Sequence, residues 1–364
     1  MTALMETSVI IANYNGKQYL HKCITALLRQ TYRGFEIIIV DNGSKDGSVA
    51  FVQETFGKEC ASGKIRVITN KENTGFTGGN NIGVRKARGK YMALLNNDTQ
   101  VDKGWLAALI QTLKDYPDIA IIGSFENPTV PLNRLFFIEQ ECSTTMTLCE
   151  ETVLIPRKDA GAPHLRSAFF VSGNGMAFRK KEIPLPFDDN YFAYAEDVHL
   201  GWRQRMLGKS AAFNMQARMV HYGAGTKKQD SHIGAIAIFN GTKNQLMNFL
   251  IFYEWKNIIR IAPLFVLTQL GHIVQNPHKF IVKLKAYFWI IANLRRVMAK
   301  RKAIQAQRKI PDRELIKLMS CQFCEPMIAE EGWRRRAVNV ANSVFYVYCF
   351  VMRLRTTELV RNTK

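Results

Sequence analysis

Short apolar runs alternate with amphipathic segments over the first hundred residues of the chain. The runs have the length and the β-branched content of buried strands, and they cover residues 8–13, 36–40, 65–69 and 91–95. Between them the apolar spacing predicts helices over residues 18–29, 47–56 and 80–87. Strands that alternate with helices in this way predict an α/β fold with a mostly parallel sheet.

Short polar side chains follow three of the predicted strands. They are Asn13 and Asn15, Asp41 and Asn42, and Asn96, Asn97 and Asp98. Ligands of such sheets bind beyond the carboxyl ends of the strands, and polar groups stay buried there only when they have partners. The sequence therefore predicts a ligand site at this edge of the sheet.

Asp98 is a candidate metal ligand, because Mg²⁺ and Mn²⁺ take one or two carboxylates together with substrate phosphates. A turn in which Asp98 caps the next helix is the alternative. The segment from Asn73 to Gly83 has four glycines in eleven residues, so its backbone N–H groups could approach a diphosphate. The segment lacks the Lys and Ser/Thr of a P-loop, which argues against that type of phosphate site.

A second polar cluster lies further along the chain. A helix is predicted over residues 196–207, and Glu196 and Asp197 stand at its start, after a strongly aromatic run. Acidic residues there stabilise the helix dipole, but an apolar setting also tunes catalytic carboxylates, and both interpretations stay open. His221 precedes a glycine loop over residues 223–226 and could reach a metal at Asp98, although a lone histidine is usually structural.

Composition and charge divide the chain into two parts. It has 364 residues, 47% of them hydrophobic, and a formal net charge of +20, which indicates a globular protein longer than one ordinary domain. Residues 242–364 hold 22 Lys and Arg against 7 Asp and Glu, and so carry most of the excess. Seven scattered cysteines and an N-terminus without a basic, apolar leader predict a reducing, intracellular location. The pair Cys321 and Cys324 is expected to lie one helical turn apart rather than to bind zinc.

The last third alternates apolar and basic residues. Its apolar runs, 246–253, 258–274 and 286–294, are each broken by charge or proline short of the ~20 residues that cross a bilayer, so no transmembrane helix is predicted. The mixture is typical of helices that lie on an anionic membrane surface. Packing on the first part of the chain or on a second copy is one alternative, and RNA binding is another.

The ordered motifs VIIANYNG, VDNGSKDGS, NTGFTGGNNIG, LLNNDT, SGNGMAFR, FAYAEDVHLGWR and VHYGAGT resemble those of family 2 glycosyltransferases over residues 7–245. The rhamnosyltransferase-like branch is the most similar. The resemblance implies the GT-A fold, a Rossmann-like, mostly parallel sheet flanked by helices, with a C-terminal helical extension. It also implies a catalytic domain over 1–245, with a nucleotide-sugar half (1–125) and an acceptor half (126–245), followed by a basic amphipathic helical region over 246–364.

The resemblance also assigns roles to individual residues. Asp197 matches the general base, and Asp98 and His221 match the ligands of Mg²⁺ or Mn²⁺. The expected donor-binding residues are Asn13, Asn15, Asp41, Asn73, Gly75, Gly79, Asn80 and Asn97. The expected lining of the acceptor site or pocket is Gly173, Asn174, Glu196, Trp202 and Arg203.

Two departures from the family pattern refine the expectation. Asn96 and Asn97 replace a carboxylate of the usual metal motif, which leaves one charged ligand. The Gln-x-x-Arg-Trp motif of processive synthases does not occur, so transfer of one or a few sugars is expected. The implied enzyme is an inverting, non-processive transferase, at the inner face of the cell membrane, that moves a sugar to a glycan or lipid-linked hydroxyl.

L-Rhamnose from dTDP-rhamnose is the expected donor, with a UDP-hexose or galactofuranose donor as alternatives. A catalytically inactive scaffold that binds a nucleotide sugar or RNA is the alternative to an enzyme. The expected partners are the nucleotide sugar, the acceptor and an anionic membrane surface. A homo-oligomer is an alternative use of the C-terminal helices, and nucleic acid is not expected as a partner.

Overall fold

The computed structural model describes residues 5–127, 142–156, 160–222, 231–275, 277–323 and 332–361. Eleven strands in these ranges form one sheet. They are β1 (Thr7–Asn13), β2 (Phe35–Asp41), β3 (Ile65–Thr69), β4 (Tyr91–Leu95), β5 (Thr99–Val101), β6 (Ile119–Asn127), β7 (Cys142–Met146), β8 (Thr152–Pro156), β9 (Leu165–Ala168), β10 (Gly175–Arg179) and β11 (Ser210–His221).

The α-helices of the same ranges flank this sheet and continue beyond it. The first six are α1 (Lys17–Leu28), α2 (Ser48–Thr55), α3 (Gly57–Ala61), α4 (Gly75–Lys86), α5 (Trp105–Asp115) and α6 (Glu196–Met206). The C-terminal ones are α7 (Ser231–Phe252), α8 (Trp255–Gln275), α9 (Phe280–Ala292), α10 (Leu294–Gln305), α11 (Asp312–Leu315), α12 (Trp333–Val351) and α13 (Thr357–Arg361). The predicted α/β architecture with a helical extension is confirmed.

The sheet is parallel where the predicted ligand edge lies. Its order is β3-β2-β1-β4-β10-β6-β11-β9-β7-β8, and β5 pairs with β11. The strands β3, β2, β1 and β4 run parallel, whereas β10 runs antiparallel between β4 and β6. The amino-terminal end of β10 therefore meets the same edge as the carboxyl ends of its neighbours.

The two faces of the sheet are covered by different helices. Along β1, Val9 and Ile11 pack in a core with residues of α1 and α5, whereas Ile10 packs on the other face with residues of α4 and α6. This alternation fixes the register of the strand, because a shift by one residue would exchange the two faces.

The glycine-rich segment is helical rather than a loop. Helix α4 begins at Gly75, five residues before the predicted start, so most of the expected phosphate loop forms its first turns. A Cβ atom on Gly83 would lie 2.4 Å from Ile10 Cγ2, and one on Gly79 would lie 2.8 Å from Asn42 Nδ2. The glycines therefore allow α4 to approach the sheet closely, which sequence reasoning had taken for loop flexibility.

The C-terminal helices share a core with the sheet domain. The boundary predicted at residue 245 lies within α7, and residues of α7 and α8 pack in one apolar cluster with Phe169, Tyr191 and Trp202. Cys321 and Cys349 are buried in this cluster as free thiols. Cys324, the second cysteine of the predicted pair, lies outside the described residues.

Helix α8 is longer than its sequence predicted. Proline was expected to break this apolar run, but Pro263 lies inside a helix of 21 residues. The segment Trp255–Val274 is therefore long and apolar enough to cross a membrane, contrary to the prediction, although one third of it is buried inside the protein. A buried core helix passes the same length test, so this property by itself does not indicate a membrane span.

Candidate active site

Hydrogen bonds join the ends of β1, β2 and β4 into one polar edge. Asn13 is fully buried, and its Nδ2 donates to Asp41 Oδ1 at 3.0 Å. Asn97 Nδ2 donates to Asn13 Oδ1 at 2.7 Å. Asp41 Oδ2 accepts from the Ser44 backbone N–H at 2.9 Å. The three predicted donor-site side chains are thus brought together and held in fixed orientations.

A second layer of amide groups ties α4 to this edge. Asn42 Nδ2 donates to the Gly75 carbonyl at 3.0 Å, and Asn42 Oδ1 accepts from Asn70 Nδ2 and Thr74 Oγ1. Asn73 Oδ1 accepts from the Gly75 N–H at 2.9 Å. Asn42 is 3% exposed, so these bonds satisfy a buried amide and place the start of α4 beside the polar edge.

The remaining predicted donor residues have less direct positions. Asn15 is exposed in a left-handed conformation (φ 49°), and its Oδ1 accepts from the Lys45 N–H at 2.8 Å. Asn80 is buried, and its Nδ2 donates to the Phe76 carbonyl one turn earlier in α4. Asn80 therefore supports its own helix instead of facing a ligand.

Asp98 and His221 meet beside the end of β4, as predicted. Asp98 Oδ1 lies 3.1 Å from His221 Nε2. The other ring nitrogen, Nδ1, lies 3.4 Å from Glu126 Oε1 and 3.2 Å from Asn174 Nδ2. Strand β5 pairs with β11 next to these residues, which fixes Thr99 opposite His221. The glycine loop expected after His221 lies outside the described residues.

Two carboxylates keep His221 protonated when no cation is bound. Burial disfavours the imidazolium, but hydrogen bonds and charge from Asp98 and Glu126 outweigh it and raise the pKa of His221 to about 9. Because these carboxylates face opposite edges of the ring, they do not converge. No cluster of three or more His, Cys, Asp or Glu side chains forms a metal site among the described residues.

The pair Asp98 and His221 nevertheless fits a hard cation that takes part of its shell from a substrate. Asp98 Oδ1 is buried and accepts no hydrogen bond apart from its contact with the imidazole. A carboxylate and one imidazole supply two ligands, and phosphate oxygens or water complete the shell of Mg²⁺ or Mn²⁺. Binding of the cation would replace the proton on Nε2.

Asp197 lies at the start of α6, next to the residues that contact His221. Its Oδ1 accepts from the Val198 N–H at 2.8 Å, and the Gly173 N–H also donates to it. The neighbouring Asn174 contacts His221, and its carbonyl accepts from the Asn96 N–H at 3.0 Å. The Gly173–Asn174 turn therefore lies between Asp197 and the Asp98–His221 pair.

Glu196 and Asp197 share one charge. Burial and the Asp197 carboxylate raise the pKa of Glu196 to about 8. Burial also raises the pKa of Asp197, but the two backbone N–H groups stabilise its ionised form. We therefore assign the proton of the pair to Glu196, whose Oε2 is buried without a hydrogen-bond partner. Asp197 remains the base of the pair at neutral pH.

The segment before Asp197 has a strained backbone. Phe192, Tyr194 and Ala195 have positive φ angles of 59°, 71° and 58°. Non-glycine residues in this region are rare, and several together persist only when their surroundings hold them. We call residues 190–195 the strained loop.

A single amide group on α7 holds most of the strained loop. Asn244 Nδ2 donates to the carbonyls of Tyr191, Ala193 and Tyr194 at 3.0, 3.0 and 2.7 Å. Asn248, one turn later, donates to the Ala195 carbonyl at 3.3 Å. The orientation of the carboxyl groups at the start of α6 thus depends on a C-terminal helix.

Two predicted pocket residues belong to other parts of the structure. Trp202 is fully buried, stacks on Phe252 and packs edge-on against Phe169 and Tyr253, so it is a core residue. Arg203 points to the Leu185 carbonyl, at 3.5 Å, instead of to the polar edge. The apolar pattern of α6 could not separate core residues from site residues, because the helix is buried on most of its circumference.

Sequence reasoning missed Glu126, Asn244 and Asn248. Glu126 lies near the end of β6, where the rule on strand ends could have found it. The two asparagines lie four residues apart on one face of α7, and the buried Asn240 lies four residues before them. Buried amides at that spacing are a usable signal, but only tertiary structure shows that their partner is the strained loop.

Part of the chain is similar to known glycosyltransferases. Residues 8–181 match the model described as Glycosyl transferase family 2. An uncharacterized glycosyltransferase of Haemophilus influenzae is 30% identical over 135 residues, 37% of this chain and 38% of that protein. The glycosyltransferase GlyG of Streptococcus pneumoniae is 29% identical over 120 residues, 33% of this chain and 39% of its own length. The chain thus matches less than half the length of these relatives.

Solved structures share the fold at low sequence identity. One described as GalNAc-T7 with UDP, GalNAc and Mn²⁺ superposes with a TM-score of 0.58 and 16% identity, over 71% of this chain and 51% of that one. Another, S. aureus TarS 1-349 in complex with UDP-GlcNAc, gives a TM-score of 0.53 and 14% identity, over 83% and 88%. At this level of identity the likeness concerns the fold alone.

Proposed function

We propose that the protein transfers a sugar from a nucleoside diphosphate to an acceptor hydroxyl, because residues 8–181 match the model described as Glycosyl transferase family 2. One observation carries the proposal. The Gly173–Asn174 turn contacts both His221 and Asp197, which supports a site where the Asp98–His221 pair acts on the leaving diphosphate and Asp197 acts on the acceptor. Solved structures of similar fold that contain UDP or UDP-GlcNAc support a nucleotide sugar as donor.

The polar edge is the proposed site of the nucleoside. Asp41 is 3% exposed and is already oriented by Asn13 and Ser44, so its carboxylate can accept hydrogen bonds from a base or ribose. Asn97 lies between this edge and Asp98, which places it near the diphosphate. The start of α4 adds the positive end of a helix dipole to the same region, where the N–H groups of Gly75 and Thr77 already donate to Asn73 and Phe192.

Asp98 and His221 are the proposed ligands of the cation. The bond from sugar to diphosphate breaks as negative charge develops on the leaving group, and a bound Mg²⁺ or Mn²⁺ would stabilise that charge. Glu126 lies 3.4 Å from Nδ1 of the imidazole and itself accepts from Asn174 Nδ2 at 2.8 Å, which orients Nε2 toward Asp98. A solved neighbour that contains Mn²⁺ supports the choice of a divalent cation.

Asp197 is the proposed general base. The raised pKa of this buried carboxylate makes it a stronger acceptor for the proton of the acceptor hydroxyl. Its partner, Glu196, is protonated and cannot compete as a base. A single base with no second nucleophile implies one displacement and inversion at the anomeric carbon, with the acceptor attacking from the side opposite to the diphosphate.

The experiment is a screen of the purified protein against nucleotide sugars with Mg²⁺ or Mn²⁺. Release of nucleoside diphosphate is the readout, first with dTDP-rhamnose and then with UDP-hexoses and UDP-galactofuranose. Rhamnose is the first choice because of the sequence motifs, and the acceptor is expected to be a glycan or a lipid-linked hydroxyl. If every donor binds but none turns over, with or without a supplied acceptor, the protein is a binding scaffold and the proposal fails.

A further inference from the structure

Exposed apolar side chains are concentrated in the C-terminal helices. Among the described residues, 19 large hydrophobic side chains are exposed, and all but Tyr14 and Tyr222 lie between residues 255 and 351. Examples are Ile259 at 73%, Val274 at 79% and Trp333 at 75% exposure. A patch of this size on a globular protein marks an interaction site.

The exposed residues form a stripe on each of three helices. On α12 they include Val340, Val344, Val347 and Val351, which the helical repeat places on one side. The opposite side of α12 contains the buried Phe345 and Cys349. On α8 and α9 the exposed residues are Trp255, Ile259, Val266, Leu267, Leu270, Val274, Phe280, Ile281, Phe288 and Ile291.

These helices are neighbours in the structure. Tyr287 of α9 donates to Gln269 of α8 at 3.1 Å, and Tyr348 of α12 donates to the Arg260 carbonyl of α8 at 2.8 Å. Helix α8 therefore lies between α9 and α12. We call the exposed apolar side chains of α8, α9 and α12 the apolar face.

The charge around the apolar face has one sign. Residues 255–311 contain 12 Lys and Arg and no Asp or Glu. Arg295, Arg296 and Lys302, on the helix after α9, are exposed, as are Arg335 and Arg336 at the start of α12. An anionic partner with an apolar interior complements this combination, because basic side chains can bind its surface while apolar ones enter it.

The same charge argues against the other partners. A second copy would bring two basic surfaces together, which costs free energy unless counterions or other groups screen them. A nucleic acid would match the charge but would leave aliphatic side chains such as Ile259 and Val344 without an apolar partner.

We propose that the apolar face inserts into one leaflet of an anionic membrane, with the helices parallel to its surface. Helix α8 does not span the bilayer in this arrangement, since its other side is held by the protein. Thr268 and Gln269 on that side are buried, and Gln269 donates to Gln245 of α7 at 2.9 Å. Membrane binding stands independently of sugar transfer. Only its use, to reach a lipid-linked acceptor, rests on the proposed function.

Vesicle sedimentation of the full chain tests the proposal. We expect binding to phosphatidylcholine vesicles with about a quarter phosphatidylglycerol to be on the order of tenfold stronger than to pure phosphatidylcholine. The variant V344S/V347S/F350S should lose most of the binding, and R295Q/R296Q should bind weakly and with less salt dependence. The control K58Q/K103Q removes the same charge from exposed positions outside the C-terminal helices and should bind like the parent.

Tryptophan fluorescence gives a second readout for the position of the face. Trp333 should shift to the blue with anionic vesicles and be quenched by lipids brominated near the headgroup, and W333F should lose this part of the signal.

Three results would overturn the proposal. The first is a dimer in analytical ultracentrifugation with no binding to vesicles, and the second is preferential binding to RNA. The third is release from membranes only by detergent, because this would indicate that α8 spans the bilayer. Circular dichroism of each variant separates lost binding from lost folding.

Discussion

The polar edge of the sheet and the apolar face of the C-terminal helices both depart from the usual distribution, in which apolar side chains are buried and polar ones are exposed. The edge buries polar groups, with Asn13 fully buried and Asp41 at 3% exposure. The face exposes aliphatic and aromatic groups, as at Val274 and Trp333. Each arrangement costs free energy in the isolated protein, because buried polar groups lose hydration and exposed apolar groups order water.

The two regions differ in whether the protein itself supplies the partners that offset this free energy. At the edge, nearly every amide and carboxylate has a partner in the protein, so the site is preorganised before any ligand binds. The apolar face has no equivalent partner in the described residues. A buried polar cluster therefore indicates chemistry on a small ligand, whereas an exposed apolar face indicates a partner that is still to be added.

The largest effect is expected at the base. Replacing Asp197 by Asn keeps the shape but removes the proton acceptor, so the transfer rate should fall by ~10²–10⁴-fold while donor affinity stays within about twofold. Initial rates and donor titration by calorimetry measure the two quantities. The control is Asp115→Asn at the end of α5. Transfer by Asp197→Asn at the parental rate would remove Asp197 from the mechanism.

The next effect tests the support of the strained loop. Replacing Asn244 by Ala removes three hydrogen bonds to the loop, which should cost about 2–4 kcal/mol of stability. The turnover number should fall by about tenfold or more because Asp197 follows the loop directly, while KM for the donor should rise less because the loop reaches the donor region through the contact of Phe192 with α4. Asn339→Ala, at an exposed position of α12, is the matched control. An equal rise in KM would show a general loss of structure instead.

A smaller effect is expected from the protonated Glu196. Its carboxyl pKa is raised to about 8, so the folded state keeps a proton that the unfolded state releases above its own, lower pKa. The free energy of unfolding should therefore decrease as pH rises from about 4.5 to 8, and Glu196→Gln should remove this decrease. Urea unfolding at several pH values measures it, with Glu54→Gln as control. An identical pH profile for parent and variant would contradict the assigned proton.

The smallest effect is expected on the apolar face. Val347→Ser should change the free energy of unfolding by less than about 0.5 kcal/mol, because the side chain is 58% exposed and has little packing to lose. Ile290→Ala, on the buried side of α9, should cost about 2–5 kcal/mol. Chemical denaturation of both variants makes the comparison. A large loss for Val347→Ser would place this side chain in a core and remove it from the face.

Much of the parallel sheet could be predicted because its signals are local. The runs at 65–69 and 91–95 match β3 and β4, and the polar residues after β1, β2 and β4 do meet at one edge. The contact of Asp98 with His221 was also predicted, but from the family motif, because 123 residues separate the two positions. The periodicity of hydrophobic residues alone does not predict contacts between positions so far apart in the sequence.

What was missed depends on tertiary contacts. Residues 75–79 were expected in a loop near a diphosphate, whereas close packing of α4 on β1 outweighs the cost of glycine in a helix. Trp202 looked like a pocket residue because aromatic side chains line pockets and cores alike. The role of Asn244 could not be inferred, since its three carbonyl partners lie about fifty residues earlier in the chain.

The reversed direction of β10 has a consequence for how such a chain diversifies. Because β10 enters the sheet from the ligand edge, the polypeptide between β6 and β10 starts and finishes on the same rim of the molecule. Insertions or deletions in its loops can therefore alter the rim beside the polar edge while the register of β1, β2 and β4 stays intact.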